Sequence, residues 1–419
     1  MRYNQNTIYF AKTDKSMEIS VYSLAAILTL PVIIMGLVYV LSPSFIKASL
    51  DNDPGKYSMI EPLRGVAALI VVIHHSFFSY NLTYHEHWKP INSAVIDLPQ
   101  QVINIISSLG GMGVIFFFMI TGFLFTDKAL TSEGRVDFKK FYIGRFFRIV
   151  PAYLFLIVLV IFIVIVTGFR EYGALSDYVS VLASWLSMGM TKPYTISSRI
   201  DNYLIVAGVL WTLGVEWKFY FLYPLLCQFA KVKVALISLI SILLLVCILM
   251  LTNFFEGING GIFLSFITGG ISAVIIKINN GRFNYLLRGS ALPLIGLIAC
   301  GSALWSGYDV YSIYSIFGMF IIFISIINGS SIFGLLRLSP IRWLGAISYS
   351  LYLSHGVFLF VFNKVVLNGS GYFIPAIFAI FSAIVFSVIS YCYVECRGIS
   401  FGRKLSNGTP INSSGLTTV

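Results

Sequence analysis

Charge is scarce in this sequence: 11% of its 419 residues are charged, where a soluble domain carries about 25%. With 58% hydrophobic residues and a mean hydropathy of +0.87, the chain has too little polar surface to cover its apolar side chains in water. The bilayer is the solvent that such a composition requires. Cysteine is scarce too. Cys227, Cys247, Cys300, Cys392 and Cys396 all stand in or beside apolar stretches, and their spacing excludes a disulfide framework and a paired-cysteine zinc module. Cys392 and Cys396 share a helix face, but two thiols alone make a poor metal site, so no metal is expected and all five read as packing residues. Acidic residues are outnumbered, 17 against 28 Lys and Arg, for a net charge of +11. That surplus does not point to nucleic acid, because the basic residues cluster in short loops between apolar runs, where they report topology. Internal repeats are lacking, and no polar stretch is long enough for a separate soluble domain.

What fills the sequence instead is apolar runs long enough to cross a membrane. An early one at Ile19–Leu41 precedes ten more, at about 61–80, 110–126, 149–169, 203–228, 234–252, 258–278, 290–307, 311–328, 344–362 and 372–394. Backbone groups in lipid must be satisfied internally, so even the Gly- and Ser-rich runs read as helices and the fold class is all-α. The chain divides into an N-terminal extension, 1–56, with one transmembrane helix, a membrane domain over 57–405, and a short polar tail, 406–419. Loops following the spans that end near 126, 228, 278, 328 and 394 hold sixteen Lys and Arg, and the alternate loops hold five. The basic set is expected to face the cytoplasm, which puts the C-terminus of this multi-pass protein there. The larger polar connections, about 81–109 and 170–202, then face outward and are candidates for acceptor recognition.

Ionisable residues inside a membrane are expensive, so each is a functional candidate. Arg64 and His75 are eleven residues apart, three helical turns plus about 20°, which puts both on one face about 16 Å apart along the axis. They cannot touch, but one long substrate can meet both. An imidazole at His75 suits a general base or an acyl carrier; a lone packing histidine would look the same, and the collinear arginine favours function. Arg145 and Arg148 lie three apart among aromatics and suit the phosphates of a nucleotide-like donor, although on spacing alone lipid-headgroup anchoring is the preferred reading. Glu216 and Tyr220 are i, i+4 neighbours in an apolar helix that also holds Trp211. Ser348, Tyr352 and His355 place hydroxyls and a second histidine in a late span. Glu395, beside Arg397, reads as an interfacial structural pair.

In this order, the blocks resemble the acyltransferase-3 family. Arg64-Gly65 with His75 eleven residues after the arginine, Phe116-Phe117 before Gly122-Phe123, Arg145-x-x-Arg148, Trp211-x-Leu213-x-x-Glu216, and Ile347-Ser348-Tyr349-x-x-Tyr352-Leu353-x-His355 follow its pattern over about residues 57–405. Thr121 and Thr212 stand where serines are usual, and Glu395-Cys396-Arg397 where Glu-x-Pro is common. The resemblance implies a ten-helix bundle, to which the N-terminal helix is additional, and an O-acyltransferase acting on extracytoplasmic glycans. It implies acyl-CoA, acetyl-CoA above all, as donor substrate with no permanently bound cofactor. The acceptor would be a glycan or lipid-linked glycan such as O-antigen. His75, Arg64 and Glu216 would be catalytic, Arg145 and Arg148 would bind the donor, and Trp211, Tyr220, Ser348, Tyr352 and His355 would bind substrate. Membrane lipids are the other expected partners. A transporter or flippase is the competing reading; it would release no thiol from acyl-CoA, and it often shows repeated halves with broken helices.

Overall fold

The computed structural model describes residues 21–42, 57–85, 88–90, 98–167, 175–191, 202–254, 258–279, 289, 291–367 and 372–407. Among them no strand occurs. The helices are α1 (Val21–Leu41), α2 (Ile60–His85), α3 (Gln100–Thr131), α4 (Phe138–Thr167), α5 (Leu175–Leu186), α6 (Leu210–Cys227), α7 (Val232–Leu251) and α8 (Ile258–Asn279). They continue as α9 (Ala291–Trp305), α10 (Ile313–Ile327), α11 (Ser339–Ala346), α12 (Ser348–Phe360), α13 (Phe373–Ser390) and α14 (Cys396–Asn407). Among the described residues six helices are long and apolar enough to span, and the pair α11–α12, bent by 78°, adds a seventh if counted as one broken span. The single span expected at 344–362 is therefore a bent one. Shorter apolar helices include Thr29–Leu41, Ala291–Trp305 and Ile313–Ile327. The chain is an all-α polytopic membrane protein.

Side-chain size decides which spans are central. α7 and α8 are similar in length, but 11% of the α7 window is buried against 67% for α8. α7 is packed with Leu and Ile, whereas α8 carries Gly260, Gly261, Gly269, Gly270, Ser265 and Ser272. Without a hydrophobic drive between helices in lipid, small residues gain stability by letting backbones approach. A Cβ at Gly269 would lie 2.1 Å from the Met119 carbonyl oxygen, and one at Gly122 would lie 2.2 Å from that of Phe266. These reciprocal clamps lock α8 against α3. A second pair, Gly65 against the Gly345 backbone and Gly345 against the Glu61 carbonyl, lets the start of α2 cross α11, which is the physical need behind the Arg64-Gly65 motif.

Two large packing clusters and two small ones result among the described residues. Of the two large ones, the first joins α1, α2, α3, α8 to α10 and α13; the second joins α4, α6, the 3₁₀ turn Asn202–Val206 and one side of α12. The N-terminal helix is part of this packing, since Ile34, Met35 and Val38 are buried where α1 lies along α13. α3 and α12 border both large clusters, and the candidate site lies on that seam.

Candidate active site

A cavity of about 160 Å³ opens between the two large clusters. α2 contributes Arg64, α4 contributes Arg145 and Arg148, α6 contributes Thr212, Glu216 and Tyr220, and α12 contributes Tyr349 and Tyr352. The α3 wall includes Phe117, Thr121 and Phe125. Three arginines and a carboxylate from three helices thus face one space inside an apolar bundle, an arrangement that costs stability unless a ligand or partner charge uses it.

Two of these charged side chains, Arg145 and Glu216, are held by an identifiable device. The Arg145 guanidinium lies 5.0 Å from the Phe125 ring centroid and 5.9 Å from those of Phe141 and Tyr220, so cation–π attraction fixes it while its N–H edge stays available. Tyr220 donates to Glu216 Oε1, the i, i+4 contact the sequence suggests. Counted along α4 from Phe138, Arg145 and Arg148 lie about 10 and 15 Å into the helix, one turn apart on the face that borders the cavity.

Glu395 is the residue that sequence reasoning missed. It is 2% exposed, and it accepts a hydrogen bond of 3.1 Å from Ser350 Oγ, whose oxygen also lies 3.0 Å from Ser390 Oγ. The charges of Arg148 and Arg64 act on it. Arg397 instead lies over the Tyr393 ring at 5.5 Å, so the expected interfacial Glu395–Arg397 pair is not formed. The cause is a π-helical turn at Tyr391–Glu395: the extra residue per turn rotates Glu395 into the bundle, and such bulges recur at functional sites. An ionisable residue at the end of an apolar run was the available signal.

The histidines form a second constellation. His75 Nδ1 lies 2.9 Å from His355 Nε2, and His355 Nδ1 lies 3.1 Å from the Leu351 carbonyl oxygen. Trp88, from the segment after α2, stacks on the His75 ring at 5.8 Å and 29°. His74, the neighbour rotated off this face, packs against Phe78 at 4.4 Å and under Gly110. Neither His75 nor His355 lines the arginine cavity. Tyr352 stands between the two constellations: it lines the cavity, its hydroxyl lies 2.8 Å from Thr212 Oγ1, and its ring lies 6.1 Å from that of His355 and 5.4 Å from that of Phe117.

Of the expected site residues, Arg64, Arg145, Arg148, Glu216, Tyr220 and Tyr352 thus meet at one cavity, and His75 meets His355. Two do not join them. Trp211 is 37% exposed and packs edge-on to Phe118 on the outer side of α6. Ser348 is fully buried, and its hydroxyl has no hydrogen-bond partner among the described residues.

An all-α membrane bundle whose interior holds an arginine–carboxylate cavity next to a histidine pair falls in the class of membrane proteins with a buried polar site rather than with packed anchors. The sequence assigns it within that class. The acyltransferase-3 family, described as an acyltransferase domain, matches residues 58–392, and the chain belongs to that family. Curated relatives agree over shorter stretches. A Bacillus subtilis protein named as a candidate peptidoglycan O-acetyltransferase, YrhL, is 24% identical over 75% of this chain and 56% of its own length. The O-acetyltransferase OatA of Staphylococcus aureus is 30% identical over 44% of this chain and 30% of its own. A Haemophilus influenzae protein is 28% identical over 42% of this chain and 72% of its own. The chain therefore spans about half the length of the Bacillus relative and less than a third of the Staphylococcus one. No solved structure matches it.

Proposed function

We propose that this protein is a membrane O-acyltransferase that moves an acetyl group from cytosolic acetyl-CoA to a hydroxyl of a cell-surface or lipid-linked glycan, O-antigen being one such acceptor. The observation that carries the reading is the cavity shared by Arg64, Arg145, Arg148 and Glu216. Guanidiniums on that spacing suit phosphate groups with bidentate, charge-assisted hydrogen bonds. A volume of about 160 Å³ takes the acylated end of a pantetheine arm but not the whole donor, so the nucleotide stays at the mouth against Arg145 and Arg148. Arg64 orients the arm further in, and the thioester approaches His75 once the Tyr352 side chain swings from Thr212.

His75 then works as general base: it takes the acceptor hydroxyl proton as the oxygen attacks the thioester carbonyl, and it returns that proton to the departing thiolate. Carrying the acyl group on the imidazole before passing it on uses the same nitrogen lone pair. Glu216, held by Tyr220, supplies the compensating negative charge among the arginines. Donor and acceptor reach such a site from opposite faces, with the basic loops and the C-terminus on the cytoplasmic side. Names of relatives support the acetyl group, since YrhL and OatA are both named O-acetyltransferases, and the name of YrhL alone adds a glycan acceptor, peptidoglycan.

The test is mass spectrometry of surface glycans from cells with the gene deleted, restored, or restored as His75→Ala. Loss of one acetyl unit on deletion, rescued by the wild type alone, is the expected result. Glycans unchanged in all three strains, with no thiol released from acetyl-CoA by the membranes, would overturn the reading in favour of transport.

A further inference from the structure

His355 has no part in the reaction as drawn above, yet its surroundings are the most sharply defined in the bundle. It is 0% exposed, as is Leu351, so an incoming molecule does not reach its ring. Both ring nitrogens are used inside the protein, one against the Leu351 carbonyl oxygen at 3.1 Å and one against His75 at 2.9 Å.

The directions of these bonds follow from what each atom can do. A carbonyl oxygen only accepts, so the neutral His355 ring carries its proton on Nδ1 and donates it to Leu351. His355 Nε2 is then the lone-pair nitrogen. The bond it makes with His75 Nδ1 requires that nitrogen to bear the proton. His75 is left with Nδ1–H donating and Nε2 bare. The two rings lie within 14° of parallel, and Trp88 stacks on His75, so rotation of the catalytic ring is restrained. His75 is only partly buried, and no other hydrogen bond to it occurs among the described residues.

We propose that His355 is a positioning residue that sets the tautomer of His75, so that Nε2 is the lone pair that takes the hydroxyl proton or the acyl group. This rests on the acyl-transfer reading above. The balance is the same by either route. When Nε2 takes the acceptor proton, the C–S bond of the thioester breaks as the new C–O bond forms, and the proton leaves His75 for the thiolate. When Nε2 takes the acyl group, the C–S bond breaks as a C–N bond forms, and the acceptor oxygen later displaces the imidazole. In both, the cation on His75 is stabilised by its Nδ1–H donated to His355. Setting the tautomer through the other nitrogen is how buried partners make a histidine base competent.

Three substitutions separate this role from simple packing. His355→Leu removes both bonds. His355→Asn keeps an amide donor near Leu351 but puts no acceptor beside His75. His355→Gln reaches the former Nε2 position with an amide oxygen that accepts from His75. The assay uses membranes from cells expressing the full chain, with their own glycans as acceptors and [1-¹⁴C]acetyl-CoA as probe. The Leu and Asn variants are expected to lose about 10²-fold in kcat, with KM for acetyl-CoA changed by less than about twofold. The Gln variant should recover to within about tenfold of wild type. Asn active with Gln inactive would make the Leu351 anchor the important bond and overturn the proposal, as would a Leu variant at the wild-type rate. The tautomer is also read directly, by solid-state ¹⁵N NMR of [¹⁵N]histidine-labelled protein in liposomes, with His75 assigned by its loss in His75→Ala. Wild type and Gln should show Nδ1–H alone at His75, and Leu a mixture; an Nε2–H signal in wild type would overturn the proposal whatever the activity. A wild type that transfers no label would sink the acyl-transfer reading instead, and the proposed catalytic use of the tautomer with it.

Discussion

The arginine cavity and the histidine pair lie next to each other in the same bundle, and they are built on opposite plans. In the cavity, charges face one another across open space, and Arg145 is held by ring faces rather than by a chain of hydrogen bonds. At the histidines, both nitrogens of His355 have a fixed partner. The difference matches two chemical tasks. A polyphosphate donor must enter and leave, so its cations keep free N–H edges. A proton transfer works from one lone pair in one direction, so its geometry is saturated in advance. Tyr352 and Phe117 keep the two plans apart.

The largest effect that would test this contrast is at His75. His75→Ala is expected to lower kcat for transfer at least about 10³-fold, while acetyl-CoA binding, measured by calorimetry on protein in detergent, stays within about twofold. Equal losses of binding and rate would mean the two regions are one. Next comes Glu395, where replacement by Leu removes the buried carboxylate that accepts from Ser350. A loss of about 1–3 kcal/mol in unfolding free energy is expected, with Glu395→Gln milder because its amide still accepts from Ser350. A stable Leu variant would show that the buried charge is not needed. Arg148→Ala should then raise KM for acetyl-CoA by about 10- to 100-fold, the worth of one to two charge-assisted hydrogen bonds, with kcat nearly unchanged. A fall in kcat at constant KM would move Arg148 from donor binding to the chemical step. The smallest effect is at the boundary itself. Tyr352→Phe and Thr212→Val should each cost about 1 kcal/mol of stability, with a similar coupling energy in the double-mutant cycle; strictly additive losses would mean that the 2.8 Å contact contributes nothing.

Legibility in the sequence followed the range of the interaction. Arg64, Arg145, Arg148, Glu216 and Tyr220 could be chosen as site candidates because a charge in an apolar run stands out locally, and the i, i+4 relation of Glu216 to Tyr220 is a property of one helix. The partner of His75 could not, because His355 lies 280 residues away and its ring meets His75 only after α2 and α12 have packed. Trp211 shows the converse. It stands five residues before Glu216 in the same motif, yet it faces outward, since five residues at 100° each place it on the opposite side of α6. Glu395 escaped for a third reason: its inward aim depends on a π turn that breaks the regular 3.6-residue period.

The sequence by itself determined that this chain lives in a membrane, that it is helical throughout, and that it carries the motif order of the acyltransferase-3 family. Those are sums over contiguous residues: hydropathy per span and residue types at fixed spacing. Only the tertiary structure decided which spans are central, where α11 and α12 bend, that Glu395 turns inward to Ser350, and that His75 is paired. Each of these depends on how one helix is rotated and how closely it approaches another. Gly65, Gly122, Gly269 and Gly345 set those approaches, and a glycine's neighbour across a helix interface is not written in the residues beside it.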